Sequence, residues 1–241
     1  MSGNRFLLVG GHDEIAGALG EALAASGALV AYAGSHHPGA ALPFTRLDLD
    51  NPALLAGQVA ALDPFDAALL LPGWREFGPF MGLHAANWDE AIGQNFTHMT
   101  YAAQALARRL IAEGRGGRLI FVTSALALQP FAGAIALGTT LAALHGIARM
   151  AAVDLAPHGI TVNVLAPGWL NGPAFDALPN PAQAHIRAGI PLGRPVNAEE
   201  IASAVRFLAS EAGSAITGVI LPLDGGYTLT PASGRTLFDA G

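Results

Sequence analysis

The chain has 241 residues, 52% of them hydrophobic and 12% charged, with a formal net charge of −6. That length suits one α/β domain with a sizeable core, and a charged share about half the usual one makes burial against other subunits the simplest place for surplus apolar surface. The negative balance without a basic run excludes a nucleic-acid footprint, and the lack of cysteine excludes disulfides and thiolate metal sites.

The opening segment, MSGNRFLLVGGHDE, has too short an apolar run for a secretory signal, and a cytoplasmic location is expected. Arg5 to Gly10 reads as a buried strand. Ile15, Leu19, Ala22 and Leu23 then recur at helical spacing, with Gly27 where a helix should stop. Ala28 to Ala33 and Phe44 to Leu49 are expected strands, and Asn51 is placed to cap a helix carrying Leu54, Leu55, Val59 and Leu62. Asp66 to Leu71 is apolar almost throughout, as parallel strands buried on both faces are.

A long helix is expected over about Trp88 to Ala112, a strand over Arg118 to Thr123, and a second long helix over Ala134 to Ala156. Ile160 to Ala166, Glu199 to Ser210 and Gly218 to Leu223 complete the pattern as strand, helix and strand. The alternation predicts a doubly wound parallel sheet of about seven strands with helices on both faces, one domain over residues 1–241. No charged residue occurs between Arg118 and Arg149, a run long enough to span a bilayer. Gln129, Pro130, Gly133 and Gly138 interrupt it, so it is read as strand, loop and buried helix, with no membrane association expected.

Three stretches, DLAPHGITVNVLAPGW (Asp154 to Trp169), IPLGRPVNAEEIASAVRFLAS (Ile190 to Ser210) and ITGVILPLDGGYTL (Ile216 to Leu229), closely resemble the short-chain dehydrogenase/reductase family. NWDEAIGQNF (Asn87 to Phe96) resembles the start of that family's long interface helix. The resemblance covers nearly the whole chain. It implies a Rossmann-type fold, a dimer or tetramer, and a nicotinamide cofactor at the carboxyl ends of the strands.

Residue by residue, the implied site is incomplete. The family's glycine-rich phosphate loop lets backbone approach a pyrophosphate at a helix N-terminus. Here it reads VGGHDEIAG, with Gly10 as first glycine and Glu14 and Ala16 at the other two; a register using Gly11, Ile15 and Gly17 also lacks the central glycine. Asp13 and Glu14 equally suit a helix start that holds no ligand. The second strand leads into YAGSHHPG, where Ser35, His36 and His37 either meet a phosphate or form a polar loop. Asp48 matches the family's adenine-side aspartate, Gly73 the last residue of its N-N-A-G, and Pro167 and Gly168 its nicotinamide-side turn.

The family's chemistry uses a tyrosine, a lysine that tunes it, a serine and an asparagine. Asn95 and Ser124 match the last two. Leu137 and Leu141 stand at the tyrosine and lysine positions, and all twelve basic residues of the chain are arginine, so no lysine can substitute. Tyr32, Tyr101 and Tyr227 lie at other positions; His98 and His145 match interface helices, where a structural role is expected. Arg75 and Glu76 are placed to overhang a pocket lined by Phe131, Leu137, Leu141, Trp169 and Phe175.

These matches lead to the expectation of a catalytically degenerate member, a non-catalytic subunit of a homo- or hetero-oligomer with an active partner. Two alternatives stay open: a repurposed lyase, isomerase or cyclase taking a small apolar ligand with Ser124 and Asn95, and an oxidoreductase with an unusual proton donor. No cofactor is expected, or else NADP(H) or NAD(H), and no metal.

Overall fold

A computed structural model of the chain describes residues 5–11, 14–36, 42–73 and 76–230. Its centre is a seven-stranded, fully parallel sheet. In chain order the strands are β1 (Arg5–Gly10), β2 (Leu29–Gly34), β3 (Phe44–Arg46), β4 (Ala67–Leu71), β5 (Gly117–Val122), β6 (Ile160–Pro167) and β7 (Ile220–Leu223). Their spatial order is β3-β2-β1-β4-β5-β6-β7. The order reverses beside β1, and in such sheets ligands bind outside the strand ends at that reversal. The fold is thus the α/β Rossmann type that the alternation predicts.

The helices are α1 (Glu14–Ala25), α2 (Pro52–Ala60), α3 (Ala85–Ala91), α4 (His98–Glu113), α5 (Ile135–Leu155), α6 (Pro173–Asp176), α7 (Asn180–Ala188) and α8 (Ala198–Ala209). Two cores result, because side chains alternate faces along each strand. Leu7, Val9, Leu119, Phe121, Val162 and Val164 face α2, α4 and α5. Phe6, Leu8, Leu69, Ile120 and Leu165 face α1 and α8. Local chemistry sets several element ends. Asn51 accepts from the amides of Ala53 and Leu54 at the start of α2, and Asn197 with Glu200 forms a capping box on α8. Gly114 ends α4 in the left-handed conformation.

Two expectations need adjusting, and the long uncharged run needs placing. The third strand is cut to Phe44–Arg46, because only those residues pair with β2, at the sheet's edge. The long helix over about Trp88 to Ala112 is three joined pieces, with a π-helical segment, Ile92–Thr97, between α3 and α4. Ile135–His158 is long and apolar enough to cross a membrane by length and composition, but here its Leu137, Leu141, Leu144 and Ala148 pack into the core beneath the sheet.

Candidate functional site

The crevice at the carboxyl ends of the strands begins at Gly10 and Gly11. Gly10 has φ +84°, and a Cβ there would meet the Leu71 carbonyl at 2.5 Å and Met99 Cε at 2.8 Å. Only glycine therefore fits. The Gly11 amide donates to the Leu71 carbonyl at 2.7 Å, which fixes the loop to β4. A cavity of about 630 Å³ opens beside this loop. Its apolar floor includes Leu49, Leu71 and Met99, and its polar rim includes Ser35, His36, Asp50, Glu76, Asp89, Glu90, Gln94 and His98.

The rim is acidic, and its groups are largely tied to neighbours. His98 Nε2 lies 2.6 Å from Asp50 Oδ1. Asn87 donates to Glu76 at 2.7 Å, and Gln94 to Glu90 at 2.8 Å. Gly10 and Gly73 line the cavity as the sequence led one to expect, but Asp48 does not. Leu49 and Asp50, on the turn that follows, meet the cavity instead, while the Asp48 amide donates to Gln58 Oε1 at 2.8 Å. Arg75 and His37 lie outside the described residues, as does Asp13.

Beyond β5 the groups are engaged in structure. Ser124 caps a 3₁₀ turn, its Oγ accepting from the Leu126 amide at 3.3 Å. Asn95 is fully buried in the π-helical segment and donates to Thr140 Oγ1 at 3.1 Å. Thr140 in turn donates to the carbonyls of Ala136 and Leu137, at 2.8 and 3.1 Å. Leu137 and Leu141 are 3% and 4% exposed and sit in the core formed with Leu144, Phe121 and Val164. They do not line the cavity, which corrects their placement in a substrate pocket: the buried face of α5 carries them inward. His145, from the same helix, is buried with Nε2 3.1 Å from Thr123 Oγ1. Burial pushes its pKa below the ordinary imidazole value.

At the β6 end, Pro167 is buried, and the Gly168 amide donates to the Leu223 carbonyl at 2.9 Å. Neither reaches the cavity. Trp169 is half-buried and its carbonyl accepts from the Val196 amide at 2.8 Å. Phe175 is buried, with the Arg187 guanidinium 4.9 Å from its ring centroid. Phe131 is 48% exposed and lines neither this cavity nor a smaller one of about 80 Å³ beside Glu76, Leu83 and Gly133. None of the apolar residues that the sequence grouped in one pocket lines either of these two cavities. One contact does reach across the crevice: Glu14, first residue of α1, accepts from the Ala174 amide in α6 with its two oxygens at 3.2 and 3.4 Å.

A family model described as enoyl-(acyl carrier protein) reductase matches residues 12–228. The cis-4-hydroxycyclohexanecarboxylate dehydrogenase of Sinomonas cyclohexanicum is 34% identical over 183 residues, covering 75% of this chain and 73% of its own. The 3-oxoacyl-(acyl-carrier-protein) reductase FabG of Escherichia coli (strain K12) is 31% identical over 233 residues, covering 91% and 95%. Among solved structures, a variant of a Serratia marcescens short-chain dehydrogenase/reductase superposes with a TM-score of 0.79 at 27% identity, over 94% of this chain and 98% of its own. The chain belongs to the short-chain dehydrogenase/reductase family. The family is one of NAD(P)-dependent oxidoreductases, commonly oligomeric.

Within this family member, sequence reasoning missed His98, Asp89, Glu90 and Met99 as cavity residues. The signal was present: Asp89, Gly93 and Gln94 precede Met99 on one continuous helical stretch that starts beside the expected Glu76 loop.

Proposed function

We propose that this family member has left the family's proton-relay chemistry and serves as a non-catalytic subunit of a homo- or hetero-oligomeric short-chain dehydrogenase/reductase. The observation that carries the reading is the pair Leu137 and Leu141. Both are core side chains on α5, at the positions where the resemblance puts the tyrosine and lysine, in a chain with no lysine at all. An alkyl side chain can neither give nor take a proton. Asn95 and Ser124, the two matches that remain, spend their polar groups on Thr140 and on the Leu126 amide.

The residues present fit a dinucleotide poorly. Glu14 places a carboxylate at the helix N-terminus where a pyrophosphate would need a neutral approach. The open cavity carries Asp50, Glu76, Asp89 and Glu90 on its rim and no arginine among its described lining residues. Family placement alone favours a second reading, an NAD(P)-dependent oxidoreductase with a proton donor of its own; the named dehydrogenase and reductase relatives and the open cavity beside Gly10 support it. The lyase, isomerase or cyclase reading gains no support from the two cavities described, since Leu137, Leu141, Phe131 and Phe175 line neither.

Titration calorimetry with NAD⁺, NADH, NADP⁺ and NADPH separates the first two readings. The non-catalytic reading expects no binding at about 1 mM, no turnover, and co-purification with an active family member or as a silent homo-oligomer. Micromolar binding together with turnover by the purified chain would establish the oxidoreductase reading instead.

A further inference from the structure

We propose that Glu14 is a latch that shuts the crevice against a dinucleotide, and that Gly172 is glycine to let the latch close. The inference rests on the reading above that the crevice has given up its nicotinamide cofactor. It adds how access is denied.

The latch joins segments 160 residues apart. Glu14 starts α1 just after β1, whereas Ala174 sits in α6 just after β6. In the sheet, β4 and β5 stand between β1 and β6. A contact between α1 and α6 therefore crosses the tips of the strands over which an extended ligand would lie. The cavity agrees: its described lining comes from the β1, β2 and β4 ends, the turn after β3 and the α3–α4 stretch, with no described residue beyond Met99.

Gly172 lies against the same carboxylate. Its φ of 166° is extended backbone that any residue adopts, so conformation does not demand glycine there. A Cβ at 172 would collide with Glu14 Oε1, the far end of a flexible side chain. A methyl group would therefore be accommodated by pushing the carboxylate off the Ala174 amide, which is how the glycine lets the contact close. The carboxylate also sits in the first turn of α1, a 12-residue helix, where the dipole favours negative charge. That placement sets the Glu14 carboxylate at the lip, so any phosphate approaching Gly10 and Gly11 meets a gap already filled by the contact with Ala174.

The full-length chain tests the proposal through Glu14→Ala, Glu14→Gln and Gly172→Ala. Glu14→Ala removes the latch, Glu14→Gln keeps an acceptor for the Ala174 amide without the charge, and Gly172→Ala displaces the carboxylate while leaving it in the chain. Hydrogen exchange of the 172–178 segment at millisecond labelling times, read without any ligand, should rise at least about 5-fold in Glu14→Ala and Gly172→Ala and least in Glu14→Gln. Calorimetry with NAD⁺ and NADP⁺ should show at least about 10-fold tighter binding in the two opened variants than in the unmodified chain.

Unchanged exchange in both opened variants would overturn the latch. Faster exchange without tighter dinucleotide binding would overturn its role in access. Because exchange is read with neither cofactor nor substrate, this failure is separable from that of the non-catalytic reading, which is decided by turnover of the unmodified chain. If Gly172→Ala does not fold, Glu14→Ala carries both measurements, since it shortens an α1 side chain to the best helix former.

Discussion

Leu141 offers the sharpest test of whether the stretch after β5 is core or active site. Its side chain is 4% exposed and packs in the cluster with Leu137, Leu144 and Phe121. Burying a leucine side chain is worth about 1.5–3 kcal/mol in transfer free energy. Truncation to alanine adds the cost of the cavity left behind, bringing the typical total to about 3 kcal/mol or more. For a chain of this size that corresponds to a fall of about 6–12 °C in Tm, at about 2–4 °C per kcal/mol. Leu141→Met conserves volume and should cost less than about 1.5 kcal/mol. Leu141→Lys should cost more than Leu141→Ala, because it puts an ammonium among the buried apolar side chains of this cluster. Urea unfolding at equilibrium measures all three, with Leu128→Ala, at a site 38% exposed, as a control expected within about 1 kcal/mol. If Leu141→Ala cost less than about 1 kcal/mol, or Leu141→Lys were tolerated as well as Leu141→Met, the position would open onto solvent or a pocket. The argument from core packing would then fail.

Three further outcomes follow from buried polar groups. His145 has its pKa lowered by burial, so the folded state takes up a proton less readily than the unfolded one. Its contribution to stability is complete above the unfolded value near 6.5 and is lost as pH falls below it toward the depressed folded value; His145→Gln should flatten that part of a urea-midpoint profile measured between pH 7.5 and 5. Asp66 is 5% exposed and holds Arg5 at 2.7 Å and Arg115 at 3.2 Å. Since both arginines are partly exposed and screened, Asp66→Asn should cost about 1–2 kcal/mol at pH 7. The Arg5 hydrogen bond lowers the Asp66 pKa, so the difference from the unmodified chain should shrink as pH falls through that depressed value. Asn95→Ala should cost about 1–3 kcal/mol by thermal or urea denaturation, and a double-mutant cycle with Thr140→Val should show about 0.5 kcal/mol or more of coupling across their 3.1 Å bond.

Burying Arg118, only 5% exposed, leaves its Nε without a hydrogen-bond partner, beside Thr161 Oγ1 in the same condition on the paired strand position.

Much of the fold was legible from periodicity alone. Fully apolar runs such as Ala67–Leu71 can be buried on both faces only in a parallel sheet with helices on each side, and Gly27, Asn51 and Gly159 mark helix ends; the long helix expected from Trp88 starts at Ala85, and α6 and α7 were not legible. The site was legible in part. Gly10 and Gly73 were placed by the loops after β1 and β4, because a residue at a strand's carboxyl end has only one place to go. The grouping of Phe131, Leu137, Leu141, Trp169 and Phe175 was not, because hydrophobicity marks a side chain for burial without saying whether it faces a cavity or a neighbour.

The sequence by itself determined the doubly wound sheet, the family, and the identity of the residues standing at each position, including leucine at 137 and 141 and the complete absence of lysine. Only the tertiary structure decided what those residues do. It turned the two leucines into the core and spent Asn95 on Thr140. It also brought Glu14 against Gly172 and Ala174, far away in the chain. Such contacts depend on the angle at which a helix leaves a strand and on the path of a loop. Those are set by the packing of the whole sheet, and no local pattern encodes them.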